Sequence, residues 1–272
     1  MNIQEDIMKQ LALSFLLLCL LFFPTLLAQE NLTAYEIVEK SFDAVELAGT
    51  EATSTMTIFD GKGHQRVRQV AQVSKLYDDG DTEKKLIRFL SPADVKGTGF
   101  LSFDYEDKDD DMWLYMPALR KTRRIVSSEK SKSFMGSEFS YSDITPPTLS
   151  DFAFTLLGEE DVNGIPCWKI EMVPNDDDIA DENGFSKKIS WIAKTDFVVR
   201  KSVYYDVDGE LHKELTVHEI RELDPQNHKY RLIHLEMENK QNGRRSVLKV
   251  DSIVFNPDVK DEYFTTRYLE RE

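Results

Sequence analysis

Five Asx-Gly pairs constrain this chain more than any other feature. Asp60-Gly61, Asp79-Gly80, Asn163-Gly164, Asp208-Gly209 and Asn242-Gly243 each fall between runs in which apolar and polar residues alternate. Such pairs accept the positive φ angles of a tight hairpin, and a period of two gives each strand one apolar face. The period holds from Glu51 onward and predicts about eleven or twelve strands. Residues 189–193 and 198–206 mix apolar and polar side chains as a half-buried strand requires. Later, Leu232, His234, Glu236 and Glu238 fall on one face, while Ile233, Leu235 and Met237 fall on the other. Hairpins that follow one another without helices between them dictate an antiparallel sheet, and a dozen strands curl rather than stay flat. A curled sheet encloses a volume, which either packed side chains or an apolar pocket can fill.

Helical spacing is clearest over residues 33–48, where Ala34, Ile37, Val38, Ser41, Val45 and Ala48 share a face and Thr33 with Glu36 forms a capping box. This N-terminal helix is expected to cover the sheet. The C-terminal DVKDEYFTTRYLERE reads as a short closing helix or an extended tail. Ahead of the helix, Lys9 precedes an apolar run from Leu11 to Phe23 that Pro24 ends, and Leu26-Leu27-Ala28 permits cleavage before Gln29. Residues 1–28 therefore read as a secretory signal peptide, and residues 29–272 as a single exported periplasmic domain. A retained anchor and a lipidated Cys19 are the alternatives. The run is short for a membrane span of about 20 residues, and Leu18 occupies a position where lipidation favours a small side chain.

The whole chain carries a formal net charge of −15, and loss of Glu5, Asp6 and Lys9 with the leader would change it by one unit. That balance argues against nucleic acid, which rewards a basic footprint. Cys167 alone would remain, so no intrachain disulfide could form and a hydrophobic core must hold the domain. Against this acidic background, Lys and Arg crowd into positions 120–132, between the strand-like DMWLYM and the segment SFMGSEF.

The blocks FLSPADVKGTGFLSFDY (89–105), DMWLYMPALRKTRRI (111–125), SFMGSEFSYSDI (133–144) and WIAKTDFVVRKSVYYDVDGEL (191–211) resemble the outer-membrane lipoprotein-sorting (LolA-like) proteins. The resemblance is closest to the subgroup that includes an uncharacterised spirochaetal lipoprotein domain. It implies a mostly β fold: a strongly curved antiparallel sheet forming an incomplete barrel, covered by the N-terminal helix and a short helical lid. It further implies a cavity for acyl chains of a lipid or lipoprotein in transit to the outer membrane. Lipid or lipoprotein cargo, an inner-membrane exporter of the resistance-nodulation-division type and an outer-membrane acceptor are the implied partners.

Trp113 and Tyr115 share one strand face, and Met112, Leu114 and Met116 the other, so both faces are expected to meet apolar material. Phe134, Met135 and Phe139 follow a Ser/Lys-rich stretch, and Met suits an adaptable surface. Trp113, Tyr115, Phe134, Met135 and Phe139 are thus the candidate acyl contacts, with the last three bordering the entrance or, alternatively, plugging the sheet as core. Strand alternation would put residues 120, 122 and 124 on one face and 121, 123 and 125 on the other. Arg120, Arg123 and Arg124 are candidates for an anionic lipid head or an acidic partner, because guanidinium groups hold phosphate and carboxylate bidentately. The alternative is that they pair with the chain's own carboxylates.

No cofactor, metal or catalysis is expected. Gly136-Ser137-Glu138 lacks the G-x-S-x-G elbow, no H-E-x-x-H is present, and Cys167 has no base beside it in sequence. His212 and His218 share a face, as do His228 and His234, but pairing them would centre the turn on Leu223. The turn chemistry lies instead in Asp224-Pro225-Gln226-Asn227. A lipid-hydrolysing enzyme and an accessory binding protein of an exporter are the competing functional readings.

Overall fold

The computed structural model of the protein describes residues 32–106 and 108–271; the expected signal segment lies outside them. The strands are β1 Gly49–Phe59, β2 Gln65–Tyr77, β3 Thr82–Ser91, β4 Gly99–Tyr105, β5 Asp111–Met116, β6 Lys121–Ile125 and β7 Phe152–Val162. They continue with β8 Ile165–Pro174, β9 Lys187–Ala193, β10 Val199–Tyr205, β11 Leu211–Asp224, β12 Lys229–Asn239 and β13 Arg245–Phe255. Among the described residues three short α-helices accompany them: α1 Ala34–Asp43, α2 Asp177–Asn183 and α3 Thr266–Leu269.

All thirteen strands join in one sheet, ordered β6-β5-β4-β3-β2-β1-β13-β12-β11-β10-β9-β8-β7. Two antiparallel meanders therefore meet along the β1–β13 pair. One arm runs from β1 out to β6, the other from β13 back to β7. Each of the five Asx-Gly pairs sits in a connection between adjacent strands. In the β7–β8 turn both Asn163 and Gly164 take positive φ (52° and 81°), which Asn-Gly supplies at low cost. The sheet has one strand more than alternation predicts. Alternation is poorest in β7, where a bulge between Leu156 and Gly158 leaves Leu156 and Leu157 both exposed.

α1 begins where the capping box places it: Thr33 Oγ1 accepts from the Glu36 amide at 3.2 Å, and the Thr33 amide donates to Glu36 at 2.7 Å. It ends at Asp43 rather than at residue 48. Ile37 and Val38 are buried, and α1 packs on β7 and β9, with Tyr35 edge-on to Phe154 at 5.8 Å. The Ala44 carbonyl then accepts from the Tyr230 amide of β12, so tertiary contact stops the helix where propensity alone would extend it.

Register assigns the two faces. On the concave face, Met56, Ile58, Val70, Ile87, Phe89, Phe100, Met112, Leu114 and Ile125 form a continuous core. On the convex face, Leu86, Leu101 and Tyr115 pack against Val259, Phe264 and Leu269 of the C-terminal segment. Leu269 comes so close that a Cβ on Gly99 would lie 2.5 Å from its Cδ1. The tail is thus a structural cover for this face. The outer strands β6 and β7 do not pair with each other. The chain between them, residues 126–151, crosses the concave side as a series of short 3₁₀ turns, and these take the place of the expected helical lid.

Candidate functional site

The segment 126–151 enters the concave face as a plug, with different partners in the two arms. Over the first arm, Phe134 is 1 % exposed and meets Phe89, Phe100 and Tyr141 at ring-centroid distances of 5.9, 5.5 and 5.4 Å. Over the second arm, Phe139 joins Phe152, Met172, Phe185, Tyr204 and Met237. Edge-to-face rings of this kind add to the area term that buries them.

Irregular backbone under a sheet leaves carbonyls that need donors, and the concave face supplies them as cations. Arg68 donates to the Met135 carbonyl, Lys85 Nζ to that of Ile144 at 2.9 Å and Arg244 Nη2 to that of Gly136 at 3.1 Å. Met135 itself sits at φ 52°, a conformation stabilised here by the contacts on both sides of it. Lys213 binds the Asp143 carboxylate at 2.6 Å, both side chains being 8 % exposed. Burial raises the Asp143 carboxyl, but the Lys213 charge and hydrogen bonds from Lys213 and Ser140 outweigh it and hold the group below the usual carboxylate range. For Asp104, on the concave face of β4, the balance goes the other way. Burial pushes its carboxyl up to about 7 despite the Lys85 charge, and its Oδ1 has no hydrogen-bond partner.

Around the Phe139 cluster, Phe154, Leu215, Leu235 and Leu248 are only partly buried. A cavity of about 220 Å³ opens nearby between the plug and β11, lined by Ser131, Ser133, Ser137, Glu138, Phe139, Ser140, His212 and Lys213. Three of its four serines serve the plug: Ser133 Oγ donates to the Ser137 carbonyl at 2.6 Å, Ser137 Oγ to that of Phe134 at 2.8 Å and Ser140 Oγ to Asp143 at 2.7 Å. The His212 ring lies 3.5 Å from Asn239 Nδ2, and burial lowers its pKa.

The structure does not bring the five candidate acyl contacts together. Phe134, Met135 and Phe139 lie on the concave face, Phe134 and Phe139 as buried core and Met135 partly buried beside Phe134. Trp113 and Tyr115 lie on the opposite face, Trp113 edge-on to Phe103 at 5.1 Å and Tyr115 beneath the C-terminal tail. The basic run also divides. Arg120 is not a strand residue: it follows the 3₁₀ turn Pro117–Leu119 at φ 45°, is exposed, and forms no ion pair among the described residues. Arg123 points to the concave side and pairs with Glu129 at 2.9 Å, while Arg124 points to the convex side and pairs with Asp111. Lys130 bridges Asp110 at 2.8 Å and Glu182 at 3.0 Å, tying the plug to α2.

His218 and His234 lie ring to ring at 4.7 Å, a proximity that the diagonal register creates, with Glu219 rather than His218 opposite His234. Among the described residues, no group of three or more His, Cys, Asp or Glu is arranged to hold a metal ion, and no helix is long and apolar enough to cross a membrane. Sequence reasoning missed Lys85, Lys188, Lys213 and Arg231 on the concave face. A charged residue placed in phase with apolar neighbours along a strand is the signal that could have found them.

A family model described as an uncharacterised protein matches residues 81–271. No curated protein matches the chain. Among solved structures, an outer membrane lipoprotein-sorting protein domain from Vibrio parahaemolyticus is 30 % identical with a TM-score of 0.79, over 88 % of this chain and 98 % of that one. A DUF1329 family protein from Desulfovibrio piger is 29 % identical with a TM-score of 0.80, over 87 % and 97 %. A LolA superfamily protein from Nitrosomonas europaea, 20 % identical with a TM-score of 0.66 over 87 % and 99 %, shares the fold. With its curled thirteen-strand sheet of LolA-like fold, the chain belongs to the outer-membrane lipoprotein-sorting family.

Proposed function

We propose that the protein is a periplasmic carrier that shelters the acyl chains of a lipid or lipoprotein on its way to the outer membrane, without catalysis. The observation that carries this reading is the partly buried apolar surface of Phe154, Leu215, Leu235 and Leu248 on the concave face. Apolar side chains at the mouth of a curled sheet are where an acyl chain would replace water at about 25 cal/mol per Å² buried. The leader-like N-terminal sequence supports export, and the family supports a sorting role. Arg120, exposed and unpaired among the described residues, is the member of the basic run best placed to meet an anionic lipid surface or an acidic partner, with Arg123 and Arg124 available once their carboxylates are displaced. An exporter in the inner membrane and an acceptor in the outer membrane are the partners that such a route requires.

Against hydrolysis, none of the hydrogen bonds among the described residues joins a hydroxyl to a histidine ring, and the serines near His212 are engaged by the plug. A nucleophile and base within hydrogen-bond reach are the minimum for acyl transfer. Native mass spectrometry and lipid extraction of the mature protein test the proposal. Co-purifying lipid, or uptake of an acyl probe, is expected. A reproducibly lipid-free protein that takes up no probe would overturn it.

A further inference from the structure

Register places Met172, Lys188, Tyr204, Lys213 and Asn239 in one row across β8 to β12, on the concave face. The plug contributes two carboxylates to this row: Glu138, which Asn239 Nδ2 meets at 3.0 Å and Arg244 Nε at 2.8 Å, and Asp143, which Lys213 holds at 2.6 Å. Asp143 also accepts from the Ser140 amide at 2.8 Å and the Ser140 hydroxyl at 2.7 Å. All three bonds converge on Oδ2, and the ammonium groups of Lys188 and Lys213 both feel the charge of this one carboxylate.

Lys188 is the one left over. Among the described residues it has no ion pair and no hydrogen bond; its Nζ lies 5.0 Å from the centre of the Tyr204 ring. Burial pulls its pKa down, Asp143 raises it and Lys213 lowers it further. The residue nevertheless keeps partial exposure. Arg68, Lys85 and Arg244 are satisfied by plug carbonyls and Arg200 by Asp196 and the Val198 carbonyl, while Arg66, opposite Ile58, is exposed to solvent. Arg231, also without a hydrogen bond, feels the opposite charge of Glu83, with no second cation working against it.

One row along from Lys188, Ser190 and Ser202 stand side by side with their hydroxyl oxygens 2.8 Å apart. Two hydroxyls joined by one hydrogen bond retain a proton to donate elsewhere. The half-buried Leu215, paired in register with Ser202, begins the apolar surface that runs on to Leu235 and Leu248. A surplus, partly exposed cation beside a hydroxyl pair and an apolar strip matches an ionised acyl amphiphile.

We propose that Lys188 anchors an anionic head group, a carboxylate or a phosphate, of an acyl ligand held on the concave face, with Ser190 and Ser202 as auxiliary donors. The assignment rests on the carrier reading and adds to it the class of head group. It places the head inside the curled sheet rather than at the basic run on its edge.

The test is displacement of a fluorescent acyl probe by hexadecanoate, hexadecyl phosphate, hexadecanol and inorganic phosphate. The wild-type protein is compared with Lys188→Met and Lys188→Arg, each checked for an unchanged unfolding midpoint or better. Both anionic amphiphiles are expected to bind about 10- to 100-fold more tightly than hexadecanol, as one charge-assisted hydrogen bond allows. Lys188→Met should erase that preference and leave hexadecanol binding unchanged, and Lys188→Arg should retain it. Equal binding of hexadecanol and hexadecanoate by the wild type, or a preference that survives Lys188→Met, overturns the head-group assignment while the carrier reading stands. Displacement of the probe by inorganic phosphate alone would also overturn it, by making the ligand a free anion. Failure of every acyl compound to bind removes both readings.

Discussion

The two arms of the sheet handle the same concave face in different ways. In the arm from β1 to β6, large apolar side chains from six strands close around Phe134, and Arg68 and Lys85 are turned to plug carbonyls. In the arm from β7 to β13, Phe152, Met172, Tyr204 and Met237 gather around Phe139, but Leu215, Leu235 and Leu248 beside them stay half-buried and Lys188 has no counter-charge in contact. One arm is finished as a core and the other is left incomplete. A domain can concentrate its stability in one region and leave another underpacked for a ligand, because stability is not uniform along a fold.

The largest expected effect tests the finished arm. Phe134→Ala should lower unfolding free energy by about 3 to 5 kcal/mol, the cost of truncating a core phenyl, with acyl-probe affinity of the folded fraction unchanged. A loss of affinity at intact stability would reverse the division between arms. Asp104 gives the next effect, through pH. Its folded-state pKa is raised from 3.8 to about 7, so the folded chain keeps a proton that the unfolded chain has released between those values. Stability from this group is therefore highest below 3.8, falls as pH rises toward about 7 and is flat above. Asp104→Asn should remove that slope and raise stability at pH 8 by about 1 to 3 kcal/mol, read from urea midpoints across pH. An unchanged slope would mean that water reaches the finished arm.

In the incomplete arm, Leu235→Ala should cost only about 1 kcal/mol of stability, since its side chain is half-buried, yet weaken uptake of an acyl probe several-fold. The reverse pattern, a full core penalty with unaltered uptake, would show this arm to be as closed as the other. The smallest effect belongs to the outer basic run. Arg120→Glu with Arg124→Glu should change stability by no more than about 0.5 kcal/mol, while slowing transfer from anionic vesicles at low salt. That defect should shrink as salt screens the contact. Transfer at the wild-type rate in low salt would make the run a solvated surface.

What could be read in the sequence was local. The Asx-Gly turns, the Thr33–Glu36 capping box and the alternation of β5 are written in neighbouring residues, and each recurs in the structure because short-range chemistry dictates it. Arg120 shows where that reasoning stops. Counting alternate positions puts it in phase with Thr122 and Arg124, but the turn after Pro117 and the left-handed conformation of Arg120 lie between, so β6 begins only at Lys121. The positions of Trp113 and Tyr115 were legible as a shared face, whereas the identity of that face depends on Val259, Phe264 and Leu269, far along the chain. Partners so distant leave no local trace. The same holds for Lys188, whose isolation is visible only once Asp143 is seen to belong to Lys213.

The strand count has a geometric consequence. With thirteen strands and every neighbour antiparallel, the first and last strands of the series point the same way, so parity forbids this sheet from closing on itself with the pattern it uses everywhere else. Joining β6 to β7 would require a parallel pair between a strand of five residues and one of eleven. Parallel neighbours also need a long crossover, and residues 126–151 are that crossover, routed through the interior instead of around it. The seam is therefore permanent. A closed barrel has a girth fixed by its strand number and shear, but a sheet with a standing seam can widen or narrow without breaking a ladder hydrogen bond. If the carrier proposal holds, a fold of this kind would accommodate acyl chains of different thickness.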